Sequence, residues 1–245
     1  MLAVIGGSGL ARLAGLERAK RRTIRTPYGK PSGAIVIGRI GGGDIAFLAR
    51  HGEKHTLPPH RINYRANLWS LGKLKADAIV SIATVGGIRR DLAPGTLLVP
   101  DQIIDYTWGR SATFFEGGRT PVTHVDFTHP YAAPLRARIL QAAKRCGEPV
   151  LDGGTYAATQ GPRLESAAEI DRLERDGAHI VGMTGMPEAS LARELGLDYA
   201  ALAVVANFAA GRGDSARAVD LDGIARVLDT AMARVRRIIA ELARA

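Results

Sequence analysis

Polar residues stand where the apolar runs of this chain end. Ser8 lies in the turn Gly6-Gly7-Ser8-Gly9 after the run at 1–5, and Arg50-His51-Gly52 follows the run at 44–49. Thr84 follows the run at 78–83, Met183-Thr184 follow 179–182, and Asn207 closes the nearly all-apolar stretch 199–206. A glycine turn after a strand brings backbone N–H groups and a hydroxyl onto an anion. A guanidinium suits a bidentate grip on phosphate. An amide at the end of a buried strand needs partners or a ligand. The stretch 161–213 also carries Gly161-Pro162-Arg163-Leu164-Glu165-Ser166, another polar segment at a strand exit. Together these groups read as a site for a purine ring and a sugar with an anion alongside. The turn at 6–9 is neither a Walker A loop nor GxGxxG, and taken alone it serves a structural role as readily as a binding one. His51, His55 and His60 share one loop, but no Cys or acidic residue nearby has ligand spacing, so no metal is expected.

The elements that must position these groups follow from periodicity. Apolar runs at 1–5, 34–40, 44–49, 78–83, 96–99, 153–159, 179–182 and 199–206 predict strands, the second and third joined as a hairpin through Gly41-Gly42-Gly43. Helical spacing appears at 63–74, 134–146, 164–176, 188–195 and 222–243. Pro162 reads as an initiator of the third of these and Gly196 as the cap of the fourth. The last carries an apolar stripe with arginines opposite and reads as a docking helix. The loop at 106–115, with Trp108, Arg110, Phe114 and Phe115, is a lid or a subunit contact. His124 lies in a polar segment ahead of the second helix. The alternation implies an α/β fold, a central mixed sheet flanked by helices, in one domain over 1–245 without linkers or repeats.

Composition narrows the partners. The chain has 245 residues, 46% hydrophobic, enough for a large core. Its 33 Lys+Arg against 24 Asp+Glu leave a net charge of +9, but the basic residues are mostly scattered and only 5% of residues are aromatic. No stacking platform for nucleic acid results, and the charge reads as solvated faces that also favour a small anion. One cysteine, Cys146, allows no intrachain disulfide. No run reaches the roughly 20 apolar residues of a membrane span, and residues 1–5 read as a strand, not a signal peptide. The expectation is a cytoplasmic protein with no membrane or nucleic-acid partner.

Gly6-Gly7-Ser8-Gly9-Leu10, Arg50-His51-Gly52, Asn63-Tyr64-Arg65-Ala66-Asn67, Gly161-Pro162-Arg163 and Met183-Thr184-Gly185-Met186-Pro187-Glu188 occur in this order across the chain. As a set they resemble the trimeric purine nucleoside phosphorylase and methylthioadenosine phosphorylase family, and within it the bacterial S-methyl-5'-thioinosine phosphorylases. The resemblance implies a phosphorylase fold, a distorted barrel built on the central mixed sheet. It implies a pentosyltransferase in which orthophosphate attacks the anomeric carbon and a purine leaves, with phosphate as co-substrate and no cofactor. It assigns phosphate to Ser8, Arg50, His51, Ala83 (through its backbone), Thr84 and Thr184. Met183 would line the ribose, and His124 would reach a neighbour's sugar site in a homotrimer.

Two departures from the adenine-specific relatives bear on the base. Their Asp-x-Asp pair reads Asn207-Phe208-Ala209 here, and Glu165 stands where they have a small hydroxyl residue. A carboxylate accepts from the N1–H of hypoxanthine or guanine and opposes the N1 acceptor of adenine. The Asn207 amide can donate to N7 or O6 as charge builds on the leaving purine. Glu165, Asn207 and His51 are thus the expected catalytic groups, with Phe208 and Ala209 beside the base. Leu221, aligned where relatives bind the 5'-hydroxyl, would suit a methylthio group. The expected reaction is phosphorolysis of S-methyl-5'-thioinosine to hypoxanthine and 5-methylthioribose 1-phosphate. General inosine and guanosine phosphorolysis, then methylthioadenosine phosphorolysis, are alternatives, and a non-catalytic purine-binding protein is the reading from another class.

Overall fold

The computed structural model describes residues 1–118 and 121–244. β1 (Leu2–Gly6) is buried throughout, whereas β2 (Glu17–Arg22) is exposed throughout. β3 (Ile35–Ile40) and β4 (Gly43–Ala49) form the expected hairpin, with Ile40 opposite Gly43. α1 (Tyr64–Lys73) starts where the Asn63 side chain accepts from the Ala66 N–H. β5 (Ala78–Gly87), β6 (Leu97–Val99) and β7 (Gln102–Asp105) come next. After α2 (Ala133–Arg145) the chain forms β8 (Leu151–Asp152) and β9 (Thr155–Ala158), then α3 (Ala167–Arg175). β10 (Ile180–Gly182), α4 (Glu188–Glu194), β11 (Asp198–Phe208) and α5 (Leu221–Arg244) complete the order.

The strands make one mixed sheet that branches at β5. Its first half pairs with β1 in parallel, its end pairs with β10 antiparallel, and its other edge pairs in parallel with β11. β1 also pairs in parallel with β4, so four parallel strands point their carboxyl ends the same way. Ligand-facing groups gather at such ends. Period-2 alternation divides the core: Leu2 and Val4 pack on the α2 and α5 side, Ala3 and Ile5 on the α1 and α4 side. The stripe Leu228, Ala231, Met232, Val235, Ile238, Ile239 and Leu242 seats α5 on the sheet. The expected fold class, a central mixed sheet flanked by helices, is the one observed.

β7 and β8 lie outside the predicted strands, and β5 runs past residue 83 to Gly87. Two further segments differ from the sequence reading for a physical reason. The basic cluster after residue 17 becomes the edge strand β2, paired with β3 by backbone bonds that side-chain pattern does not report. A charged, exposed edge also discourages pairing with other chains. The third helix begins at Ala167 and not at 164, because Ser166 and Glu169 close a capping box. The Gly161–Pro162 bond is cis, and residues 163–165 stay in a loop. Glu165 therefore stands ahead of the helix and free of its regular geometry.

Candidate active site

A cavity of about 430 Å³ opens at the shared end of the parallel strands. Gly7 and Ser8 reach it from β1, Arg50 and His51 from β4, Thr84 and Gly86 from β5. β10 runs back along the end of β5 and delivers Met183 and Thr184. Asn207 and Ala209 enter from β11, and Glu165 from the loop before α3.

The glycine turn is locked from two sides. The Arg50 N–H donates to the Gly6 carbonyl at 2.9 Å, and Thr84 Oγ1 donates to the Ser8 carbonyl at 3.0 Å. A Cβ on Gly7 would meet the Ile82 carbonyl oxygen at 2.5 Å and Arg50 Nη1 at 2.9 Å, so a larger residue could not bring the backbone this close. Arg50 itself is 1% exposed. Its Nε and Nη2 donate to the two carboxylate oxygens of Glu188, each at 2.8 Å, and Nη1 donates to the Ile82 carbonyl at 2.9 Å. Burial pushes its pKa down, but the charge and bonds of Glu188 outweigh this and hold it above the ordinary arginine value.

The His51 ring is buried, and its Nδ1 lies 2.8 Å from the Leu57 carbonyl. Burial first, and the Arg50 charge second, push its pKa down to about 4. A neutral ring facing a carbonyl must carry its proton on Nδ1, which leaves Nε2 as an acceptor. At the other end, Glu165 Oε1 accepts from Thr159 Oγ1 at 2.6 Å. Asn207 Nδ2 donates to the Phe208 carbonyl at 2.6 Å, which leaves its second N–H and its oxygen available. The arrangement offers hydroxyls, turn amides and one guanidinium edge for an anion, and a carboxylate and an amide for a polar ring.

The phosphorylase superfamily model matches residues 1–244. The chain belongs to the phosphorylase superfamily. A relative from Xanthomonas campestris pv. campestris, named probable S-methyl-5'-thioinosine phosphorylase, is 52% identical over 243 residues, 99% of this chain and 97% of its own. The 6-oxopurine nucleoside phosphorylase of Pyrococcus furiosus is 45% identical over 215 residues, 86% of this chain and 80% of its own. The structure of methylthioadenosine phosphorylase from Schistosoma mansoni in complex with adenine superposes with a TM-score of 0.93 at 32% identity, covering 99% of this chain and 90% of that one. This phosphorylase is therefore a pentosyltransferase of the purine nucleoside phosphorylase type, and family members use phosphate as co-substrate.

The phosphorylase brings most of the expected site residues to one cavity, namely Ser8, Arg50, His51, Thr84, Glu165, Met183, Thr184, Asn207 and Ala209. Four lie elsewhere. Ala83 is buried behind the cavity wall, because alternation along β5 turns it to the face opposite Thr84. Phe208 lines a separate depression with Ile88 and Arg212. The β11–β5 register shifts between Val205 and Asn207, and period-2 alternation then turns Asn207 and Ala209 inward and Phe208 away. Leu221 is 66% exposed at the start of α5, while Val219 and Ile224 line the cavity in its stead. His124 is exposed and outside the cavity.

Other residues of the phosphorylase site escaped the sequence reading. Glu188 is fully buried; a carboxylate inside the otherwise uncharged, mostly apolar stretch 185–192 was the available signal. Arg110 sits in an irregular loop and donates to the carbonyls of Thr159, Gln160, Met183 and Met186, the Gln160 side chain and the Tyr64 hydroxyl. It ties the loop after β9 to the loop after β10, and nothing in its local sequence announced this. Trp108 from the same loop is 72% exposed.

Proposed function

We propose that this phosphorylase, as one domain, cleaves S-methyl-5'-thioinosine with orthophosphate, giving hypoxanthine and 5-methylthioribose 1-phosphate. The observation that carries the reading is Glu165. It is held by Thr159 and faces the same cavity as Asn207, and the strand end from Asn207 to Ala209 offers no aspartate. One carboxylate and one amide match the N1–H donor and the N7 and O6 acceptors of a 6-oxopurine. Adenine would place its N1 lone pair against the carboxylate, and mispaired buried polar groups discriminate strongly. Relatives named for methylthioinosine and for 6-oxopurine nucleosides support the reading.

At the opposite end, phosphate is held by the Ser8 hydroxyl, the turn amides, the free Nη1–H of Arg50 and Thr184. Neutral His51 accepts from the phosphate's own P–OH through Nε2, and Thr84 braces the turn through its bond to Ser8. A phosphate oxygen forms a bond to C1' as the C1'–N9 bond breaks. The bonding pair leaves with the purine, which gains a proton, in net terms the one that the monohydrogen phosphate gives up as it forms the sugar ester. In the oxocarbenium-like transition state the anion lies on one side of the sugar. Asn207 donates toward N7 on the other side as negative charge grows there. Fixing both partners across Met183 removes most of the orientational cost. Val219 and Ile224 supply the apolar surface for the 5'-methylthio group, the role first expected of Leu221. A cytoplasmic homotrimer, in which His124 approaches a neighbour's sugar, accompanies this reading.

The test is base release from methylthioinosine, inosine and methylthioadenosine, each with and without phosphate. Phosphate-dependent hypoxanthine release, fastest from methylthioinosine, is expected. Faster cleavage of methylthioadenosine overturns the base assignment, and faster cleavage of inosine overturns the 5' assignment. Ligand binding without product overturns the reaction itself.

A further inference from the structure

Glu188 lines no part of the cavity, yet it is fully buried and 138 residues from the arginine it holds. Its carboxylate accepts four hydrogen bonds. Arg50 Nε reaches Oε1 at 2.8 Å, and Arg50 Nη2, Ser81 Oγ and Tyr199 Oη reach Oε2 at 2.8, 2.8 and 2.9 Å. Three of the four converge on Oε2 and one reaches Oε1, so both oxygens are engaged and Oε2 is saturated. Ser81 also accepts from Arg50 Nη2 at 2.6 Å. Together with the Ile82 bond, four of the guanidinium's five N–H groups are committed. The fifth is on Nη1, the nitrogen beside Gly7 at the cavity floor.

We infer that Glu188 is the positioning residue of the phosphate site, turning the Arg50 guanidinium edge-on so that the anion meets a single, charge-balanced Nη1–H. The inference rests on the reading of this end of the cavity as the phosphate site. A free guanidinium would offer its two-pronged fork and a full positive charge. The clamp occupies the fork and cancels the charge, because a bidentate carboxylate competes for the same geometry that phosphate prefers. What remains is a directional donor next to the turn amides and hydroxyls. Ser81 and Tyr199 hold the carboxylate in turn, so the orientation is set by side chains of β5, α4 and β11 that never touch substrate. Replacing Glu188 with Gln opposes an amide N–H to one guanidinium N–H and tips the plane.

The experiment measures the KM for phosphate and for nucleoside separately, and the rise in melting temperature caused by inorganic phosphate alone. It uses the variants Glu188→Gln, Glu188→Asp, Tyr199→Phe and Arg50→Lys. The first two are expected to raise the phosphate KM about tenfold, the equivalent of one misplaced charge-assisted bond, with the nucleoside KM within about twofold. Tyr199→Phe keeps both charges and removes one support of the carboxylate. It is expected to raise the phosphate KM about threefold, and it carries the test if the Glu188 variants do not fold. Folded Glu188 or Tyr199 variants with a wild-type phosphate KM overturn the inference, as does an equal rise in both KM values. If Arg50→Lys also leaves the phosphate KM unchanged, the phosphate reading of this end fails. If Arg50→Lys raises it and the others do not, only the role of Glu188 falls.

Discussion

Thr159 Oγ1 donates to Glu165 Oε1 at 2.6 Å, joining the end of β9 to the loop that precedes α3. Thr159 is itself anchored, its N–H donating to the Gly182 carbonyl at 2.8 Å. One carboxylate oxygen is thus committed and the other remains for a ligand donor. Glu165→Gln is expected to lower kcat/KM for methylthioinosine by about 100-fold, the cost of one buried charge-assisted hydrogen bond. Cleavage of methylthioadenosine by the same variant should rise, because the Gln amide can donate to the adenine N1 that the carboxylate opposes. Thr159→Val should cost about tenfold. Steady-state kinetics on both nucleosides provide the check.

Ile224 stands in the first turns of α5 with its side chain on the cavity, next to Val219. Ile224→Ser exchanges apolar surface for a hydroxyl. The ratio of kcat/KM for methylthioinosine to that for inosine should fall about tenfold, since burying a methylthio group is worth roughly 1–2 kcal/mol. Leu221→Ser, on an exposed side chain, should leave the ratio unchanged. Competition between the two substrates in one reaction measures the ratio directly.

Arg110 holds four backbone carbonyls from the loops after β9 and β10. Arg110→Ala leaves those acceptors unpaired and should cost about 2–4 kcal/mol of stability. It should also raise the nucleoside KM and lower kcat together, because Met183 and the Thr159–Glu165 pair lose their common tie. Arg110→Lys should recover little, as three donors on one ammonium cannot span the planar fork. Urea unfolding and initial-rate kinetics on the same preparations test both effects.

His51 gives a pH signature. Its ring titrates at about 4 in the fold against an ordinary 6.5. Between these values the unfolded chain binds more protons than the folded one, so stability falls as pH drops from about 6.5 to about 4 and this contribution is flat outside that window. The loss attributable to His51 is at most about 3 kcal/mol. His51→Gln should remove this part of the slope. Urea midpoints of both proteins without ligand at pH 7.5, 5.5 and 4.5, analysed as a difference, isolate it from the other histidines.

Sequence by itself determined where the apolar runs stop and which polar residues stand there. Ser8, Arg50, His51, Thr84 and Asn207 follow apolar runs in parallel strands that lead to one cavity, and Thr184 follows the run of the antiparallel β10. The contrast of Glu165 with the absent aspartate pair was legible too, because it depends on residue type alone. Which way a side chain turns was not. The shift between Val205 and Asn207 sends Phe208 to the far side of β11, and the start of α5 exposes Leu221 while Ile224 points inward. Arg110 had no local signal, and that of Glu188 named no partner; their partners come from elements far along the chain. Local pattern reports burial and turns, because these depend on neighbours in sequence. Pairing of a buried charge and the rotation of a strand end depend on what packs across from them, and only the tertiary structure decided those.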